Sequence, residues 1–194
     1  MKKLKVLAIM GKAGSGKDTI AKELLKLRPH KFNRVVSATT RPPREGEING
    51  VDYHFLTPEI FLRELDNNRM LEATCFNNWA YGTPIMSLDE EKINLLVLNP
   101  EGIQILSWDN RIDLKVAYIE ATDKERLIRQ LNREENPDVE EIVRRFSTDK
   151  ADFLIAEKED EFPIVSKFKN NTRWEFSDTI HQIDTILCGQ EWAI

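Results

Sequence analysis

The sequence predicts an α/β fold in which a parallel sheet has helices on both faces. Four short apolar runs, mostly rich in Val, Ile and Leu, are typical of buried strands, and they lie at residues 4–10, 93–99, 114–120 and 162–168. Helical patterns follow each of the first three runs and close the chain, at residues 17–27, 100–108, 123–158 and 177–187. This alternation of strand and helix favours a parallel sheet.

Length and composition favour one domain with a sizeable core. The chain has 194 residues, 41% hydrophobic and 31% charged, which is typical of globular proteins. The formal net charge of -5 argues against a protein that coats nucleic acid. No apolar stretch reaches the ~18–20 residues of a membrane span, so no membrane partner is expected either.

Two cysteines, Cys75 and Cys188, lack the spacing of a metal site or a disulfide framework. The apolar run at 4–10 follows two lysines, as in a signal peptide, but it is short and leads into a glycine loop instead of a cleavage site. These features predict a cytoplasmic protein with free thiols.

Residues 37 to about 90 depart from the strand–helix alternation. Short β-like pieces at 34–40, 52–57 and 69–76 surround one helical candidate at 58–68. We therefore predict one domain in which a core of residues 1–36 and 91–194 carries an inserted lobe over about 37–90. A second irregularity, Asn136-Pro137, interrupts a long charged helical pattern and predicts a helical hairpin.

The segment GKAGSGKD, residues 11–18, lies between the first strand and the first helix and matches G-x-x-x-x-G-K. In this context glycines let successive backbone N–H groups converge on phosphate oxygens, and the helix N-terminus adds a positive dipole end. Lys17 can reach the β- and γ-phosphates of a bound nucleotide. The predicted phosphate-binding residues are Gly11, Ala13, Gly14, Ser15, Gly16, Lys17, Asp18 and Thr19.

Asp18 occupies the position at which this motif prefers a Ser or Thr to bind Mg²⁺. A carboxylate can hold magnesium directly or through water, so Asp18 is the predicted metal ligand. Thr19 follows, and its hydroxyl is either a donor to a phosphate or an ordinary helix N-terminal group.

Arg41 and Arg44 are separated by Pro42 and Pro43. A phosphomonoester carries close to two negative charges, and planar guanidiniums bind it bidentately. The prolines restrict the backbone, so the arginines lose less freedom on binding. The pair therefore predicts a second phosphate site.

The segments SATTRPPREGEINGVDYHFLT (37–57) and LEATCFNNWAYGTP (71–84) resemble the nucleoside-monophosphate-binding region of guanylate kinases. With the glycine loop and the arginine-bearing hairpin, the resemblance covers about residues 4–185. It implies a P-loop NTPase-type fold in which the inserted lobe binds a nucleoside monophosphate and the hairpin, over about 126–150, forms a closing lid. It also implies that the GMP phosphate is bound by Arg41, Arg44, Tyr53 and Tyr81, and that the guanine faces Ser37, Glu72 and Thr83.

The chemistry of guanine agrees with these roles. Its N1–H and N2 amino groups are adjacent donors that one carboxylate such as Glu72 accepts together, and adenine lacks this donor pair. The family usually has an acidic residue where this chain has Asn99. An amide lacks that charge, although its carbonyl oxygen can accept from the guanine amino group or from a metal-bound water. We expect Asp18 to compensate at the metal.

Three arginines of the hairpin are candidates for the transferred phosphoryl group. Arg129 and Arg133 lie four apart on one helical face, and Arg145 lies beyond the turn. Phosphoryl transfer mainly requires positioned cations and exclusion of water, so these three and Lys17 are the predicted catalytic residues. Arg144 is their neighbour, and an exposed, ion-paired helix is the alternative interpretation for any single one.

Together these features predict an ATP- and Mg²⁺-dependent kinase that phosphorylates GMP and dGMP, as a monomer or homodimer. One alternative is a kinase for a different or broader set of (deoxy)nucleoside monophosphates, which Asn99 favours and Glu72 opposes. The other is a non-catalytic guanylate-kinase-like interaction module, which the intact glycine loop and the hairpin arginines oppose.

Overall fold

The computed structural model describes residues 2–44, 46–76, 78–133, 135–154 and 165–189. The strands of this part of the chain are β1 (Leu4–Met10), β2 (Phe32–Arg34), β3 (Ala38–Thr39), β4 (His54–Phe55), β5 (Met70–Phe76), β6 (Trp79–Pro84), β7 (Ile93–Val97), β8 (Ile112–Glu120) and β9 (Val165–Lys169). They form one parallel sheet in the order β2-β7-β1-β8-β9 and a second, mixed sheet in the order β4-β3-β6-β5. The parallel sheet agrees with the predicted α/β class.

The helices are α1 (Lys17–Leu27), α2 (Pro58–Asp66), α3 (Pro100–Ser107), α4 (Asp123–Leu131), α5 (Val139–Asp152) and α6 (Arg173–Gln182). A 3₁₀ turn (Ile85–Ser87) follows β6, and a π-helical turn (Ile183–Leu187) extends α6. The last helix begins ahead of its predicted start at 177, because Thr172 and Glu175 form a capping box. Residues 155–164, which contain the ends of two predicted elements, lie outside the described residues.

Helices cover the parallel sheet on both faces, as the alternation along β1 shows. Leu7 and Ile9 are fully buried in a cluster with side chains of α1 and α6. Val6, Ala8 and Met10 point to the opposite face and are buried in clusters that include residues of α3. This double coverage explains why the strands appear in the sequence as nearly continuous apolar runs.

The carboxyl ends of the parallel strands bring the predicted functional segments to one edge. The glycine loop follows β1, Asn99 follows the neighbouring strand β7, and α4 follows β8 on the other side of β1. Ligands of open α/β sheets bind at this edge. No helix among the described residues has the length and apolar character needed to cross a membrane.

The second sheet lies within the predicted inserted lobe. Its central feature is the antiparallel hairpin of β5 and β6, in which Ala73 pairs with Gly82 and Thr74 with Tyr81. Helix α2 packs against it through the buried Phe61, and a side chain at Gly82 would crowd that ring. Helix α2 therefore covers one side of the β5–β6 hairpin, and Leu71 of β5 packs against the core cluster that contains Val6 and Leu96 of the parallel sheet.

Candidate active site

A cleft of about 1090 Å³ lies between the glycine loop and the second sheet. This is slightly more than the roughly 300–1000 Å³ of an ordinary small-molecule pocket. Apart from Ser15 and Thr83, all predicted site residues line it: Gly11, Ala13, Gly14, Gly16, Lys17, Asp18, Thr19, Ser37, Arg41, Arg44, Tyr53, Glu72, Tyr81, Asn99, Arg129, Arg133 and Arg145.

The glycine loop adopts a conformation that requires glycine at two positions. Gly14 and Gly16 have φ values of 78° and 92°. A side chain at Gly14 would clash with the backbone of Arg126, and one at Gly16 would clash with the Asn170 amide. Helix α1 starts at Lys17, so its N-terminal N–H groups and positive dipole end adjoin the loop.

Ser15 supports the loop from behind instead of lining the cleft. Its side chain is fully buried, and its hydroxyl has no hydrogen-bond partner among the described residues. Its backbone carbonyl accepts a hydrogen bond from Asn170 Nδ2 at 2.7 Å. Ser15 therefore contributes to this site through its backbone.

Across the cleft, Arg41 is held in a fixed position. It is buried, with its guanidinium 5.5 Å from the Tyr53 ring centre and 5.6 Å from that of Phe55. Its Nη2 donates to Glu47 Oε1 at 2.9 Å, and the second oxygen of Glu47 accepts from the Arg44 backbone N–H at 2.7 Å. Glu47 thus orients both arginines, and sequence reasoning missed it.

Arg44 lies among like charges. Burial, and then the nearby positive charges of Arg145, Arg41 and Arg133, lower its pKa, while Glu47 acts in the opposite direction. The lobe arginines and the hairpin arginines therefore face the same space. Such a concentration of cations in a half-buried cleft favours binding of a multivalent anion.

Two tyrosines stand beside the arginine pair. The rings of Tyr53 and Tyr81 meet edge to face, with centres 6.2 Å apart. Burial and then the Asp18 carboxylate raise the pKa of Tyr53 to about 12. Its phenol therefore stays protonated at neutral pH and can donate to an anion.

Glu72 of β5 and Thr83 of β6 form a buried polar pair on the β-hairpin of the second sheet. The Thr83 hydroxyl donates to Glu72 Oε1 at 2.7 Å, which leaves Oε2 for another donor. Burial raises the pKa of Glu72 to about 7; the Thr83 hydrogen bond opposes this shift and Glu101 adds to it. Thr83 therefore orients the carboxylate that lines the cleft, whereas Ser37 lines the cleft itself.

Asn99 caps helix α3 and lies close to Glu72. Its Oδ1 accepts from the Gly102 N–H at 2.8 Å. A side chain at Gly102 would be 3.2 Å from Asn99 Oδ1 and 3.3 Å from Glu72 Oε2, so both polar groups adjoin the same point. The carbonyl oxygen caps the helix, and the amide Nδ2 of Asn99 donates to no group in the described part of the chain, so it can donate to a ligand.

The arginines of the helical hairpin occupy different positions. The prediction that Arg129 and Arg133 share one helical face is wrong, because α4 ends at Leu131 and Arg133 lies beyond it. Arg129 Nη1 lies 3.4 Å from the Gly14 carbonyl oxygen and 3.3 Å from that of Ser15. Arg144 and Arg145 each donate through Nε to Glu141 at 2.6 Å, and these hydrogen bonds lower the pKa of Glu141 to about 2. Arg129 therefore contacts the back of the glycine loop, while Arg145 is ion-paired beside the cleft.

Asp18 has the environment of a carboxylate that can reach a metal ion. Its side chain is 70% exposed and lies 3.8 Å from Lys17 Nζ. No group of three His, Cys, Asp or Glu side chains in the described part of the chain could hold a metal ion by itself. Mg²⁺ in nucleotide sites keeps several waters and binds through one or two carboxylates and the phosphates of a substrate, so the exposed Asp18 carboxylate has the chemistry to hold it.

Two further polar residues hold the glycine loop, and sequence reasoning missed both. Arg126 is 1% exposed and Asp149 is 6% exposed, and both contact the backbone of Ala13. The available signal was weak, because a charged residue on a charged helix predicts an exposed position. Arg126 and Asp149 are also far from Ala13 along the chain, so the sequence does not indicate that these residues are in contact.

Known proteins resemble this chain over most of its length. The sequence model described as guanylate kinase matches residues 3–188. A guanylate kinase of Onion yellows phytoplasma is 32% identical over 173 residues, covering 87% of this chain and 82% of that protein. One from Schizosaccharomyces pombe is 33% identical over 164 residues, covering 82% and 81%.

The crystal structure of guanylate kinase from Anaplasma phagocytophilum superposes with a TM-score of 0.66 and 25% sequence identity, covering 96% of this chain and 86% of that one. The chain therefore belongs to the guanylate kinase family.

Proposed function

We propose that this protein transfers the γ-phosphoryl group of ATP to GMP or dGMP, giving ADP and the nucleoside diphosphate. The observation that carries the proposal is the placement of Glu72 with its orienting Thr83, the Arg41–Arg44 pair and the glycine loop around one cleft. Membership of the guanylate kinase family supports it.

The hairpin of the second sheet would read the base. Ionised Glu72 would accept hydrogen bonds from the N1–H and N2 amino groups of guanine, and the Ser37 hydroxyl would donate a hydrogen bond to O6. The free amide donor of Asn99 adjoins Glu72, so it would stabilise the ionised carboxylate or donate to a guanine acceptor. These contacts involve only the base, so they are the same for ribose and deoxyribose, which supports dGMP as a second acceptor.

Arg41, Arg44, Tyr53 and Tyr81 would bind the phosphate of GMP, whose anionic oxygen is the nucleophile. Lys17 and the loop N–H groups would hold the phosphates of ATP. Arg133 and Arg145 would move toward the transferred phosphoryl group as the hairpin closes and excludes water. Arg129, which contacts the glycine loop from α4, would also stabilise the charge of the transferred phosphoryl group.

The carboxylate of Asp18 would be the protein ligand of Mg²⁺, and Thr19 is the next residue in the chain. When bound together with ATP, Mg²⁺ would supply positive charge that offsets the negative charge of the phosphates. Asp18 would hold it directly or through water.

A substrate panel tests the proposed reaction. We expect ADP formation from Mg-ATP with GMP and dGMP, and turnover at least about 100-fold lower with AMP, CMP, UMP and dTMP, because only guanine presents two adjacent donors to Glu72. A coupled ADP assay measures kcat/KM for each acceptor. Preference for another base would refute the Glu72 assignment, and absence of turnover would favour a binding module.

The Asp18→Asn variant tests the metal assignment. We expect the Mg²⁺ concentration that gives half-maximal turnover to rise by about 5–10-fold, because an amide loses the charge-assisted part of the contact. Titration of Mg²⁺ at fixed ATP measures it, with Glu23→Gln on the same helix as a control. An unchanged Mg²⁺ dependence would remove Asp18 from the metal site.

A further inference from the structure

The back of the glycine loop is held by a buried ion pair that links it to both helices of the hairpin. Arg126 of α4 donates through Nη2 to Asp149 of α5 at 2.6 Å. Its Nε donates to the Ala13 carbonyl at 2.9 Å, and the Ala13 N–H donates to the same Asp149 oxygen at 2.7 Å. We call these two side chains and the Ala13 backbone the loop clasp.

Stability alone does not account for the loop clasp. Burying two charges carries a desolvation penalty, and hydrophobic replacements of buried ion pairs are often neutral or stabilising. Here Arg126 also donates to Asp123 at 2.9 Å and stacks 4.7 Å from the Phe146 ring centre. This full set of partners makes the pair tolerable, and it fixes the guanidinium in one orientation.

The clasp determines which loop N–H groups can bind phosphate. The Ala13 N–H is bound to Asp149, and the Ser15 N–H donates to the Lys12 carbonyl at 3.0 Å. The N–H groups of Gly14 and Gly16 donate to no group within the described residues. Because Arg126 binds the Ala13 carbonyl, it also polarises the peptide unit whose N–H belongs to Gly14.

The same pair connects the loop to the hairpin that carries the cationic side chains. Asp149 lies one helical turn after Arg145, and Arg126 lies about one turn before Arg129. The loop and the two helices are therefore held in one relative position at the donor side of the cleft.

We propose that Arg126 and Asp149 are positioning residues for the phosphate donor: the loop clasp holds the Ala13–Gly14 peptide with its N–H toward the phosphates and sets the starting position of the hairpin. Neither residue lies among those predicted to contact a nucleotide. The proposal deepens the proposed function and rests on it for the identity of the donor.

The test is the dissociation constant of ADP in Mg²⁺-containing buffer, measured by calorimetry on the full chain without any acceptor. Asp149→Asn keeps the acceptor for Ala13 but removes the charge, and we expect binding about 5-fold weaker. The double variant Arg126→Met, Asp149→Leu removes both buried charges, and we expect binding at least about 10-fold weaker with a near-normal thermal midpoint. The matched control is Asp123→Asn, which removes the charge only from the exposed partner of Arg126 and should bind within about twofold of wild type.

A second readout separates positioning from general damage. In the kinase assay, Asp149→Asn should raise the KM for ATP by about the same 5-fold factor and leave the KM for GMP unchanged, because the acceptor site lies on the other sheet. ADP affinity within twofold of wild type in the double variant, or equal losses for both substrates, would overturn the proposal. Wild-type protein that binds ADP but does not use GMP would instead refute the acceptor, because the ADP titration contains none.

Discussion

The Glu72→Gln variant is expected to lose at least about 100-fold in kcat/KM for GMP. A glutamine replaces one acceptor oxygen with an NH₂ donor, whereas guanine requires acceptors for both of its donors. The buried N1–H or N2 amino group would then be left unpaired or opposed by another donor. The KM for ATP should change little, because the glycine loop lies across the cleft. Steady-state kinetics with each substrate varied in turn measures both effects.

The same substitution should stabilise the folded protein at alkaline pH. The pKa of Glu72 is raised to about 7 in the folded chain from its ordinary 4.5, so between these values the folded state binds more protons than the unfolded state. The free energy of unfolding therefore falls as pH rises from about 4.5 to 7, by an amount on the order of 3 kcal/mol, and then levels off. A glutamine does not ionise, so this loss should disappear.

Urea unfolding of both proteins at pH 5 and pH 8 checks the sign. We expect Glu72→Gln to be more stable than wild type at pH 8, with the difference shrinking toward pH 5. Glu91→Gln, on an exposed carboxylate paired with Lys2, is the matched control and should follow wild type. A variant less stable than wild type at pH 8 would show that neighbouring groups of the protein stabilise the ionised carboxylate of Glu72.

Local cues were sufficient for the part of the site that follows β1. A buried strand, glycines and a helix start occur consecutively, and α1 begins and ends at the predicted residues. The spacing of Arg41 and Arg44 around two prolines predicts a phosphate site, and the resemblance to guanylate kinases, which the comparisons confirm, adds Glu72. These features depend on short motifs, whose conformation is largely set by their own residues.

Contacts between distant segments could not be predicted in this way. Strand β6 contains Gly82 and Pro84, which weaken a strand pattern, and its pairing with β5 overrides that local preference. The loop clasp joins Ala13, Arg126 and Asp149, which share no motif. The contact of Arg129 with the loop carbonyls likewise depends on the docking of α4, whereas its sequence spacing shows only which helical face it occupies.

The Arg44→Met variant is expected to raise the KM for GMP by about 100-fold, because a charge-assisted hydrogen bond to phosphate contributes about 1.5–3 kcal/mol and the bidentate pair is lost. Its effect on stability should be opposite in sign to that on binding. The pKa of Arg44 is lowered by burial and by Arg145, Arg41 and Arg133, so its charge is unfavourable in the cleft without nucleotide. Without nucleotide, the variant should therefore be at least as stable as wild type.

Thermal unfolding with and without GMP tests both parts of this expectation. At a GMP concentration 100 times its dissociation constant, wild type gains about 2.7 kcal/mol, whereas a variant that binds 100-fold more weakly gains only about 0.4 kcal/mol. Arg69→Met, at an exposed arginine paired with Glu64, controls for loss of an arginine on the same lobe. Unchanged stabilisation by GMP would show that Arg41 holds the phosphate without Arg44. A large loss of stability without nucleotide would instead mean that Glu47 and the backbone around Arg44 need its charge, and the cations of the cleft would then be structural as well as substrate-binding.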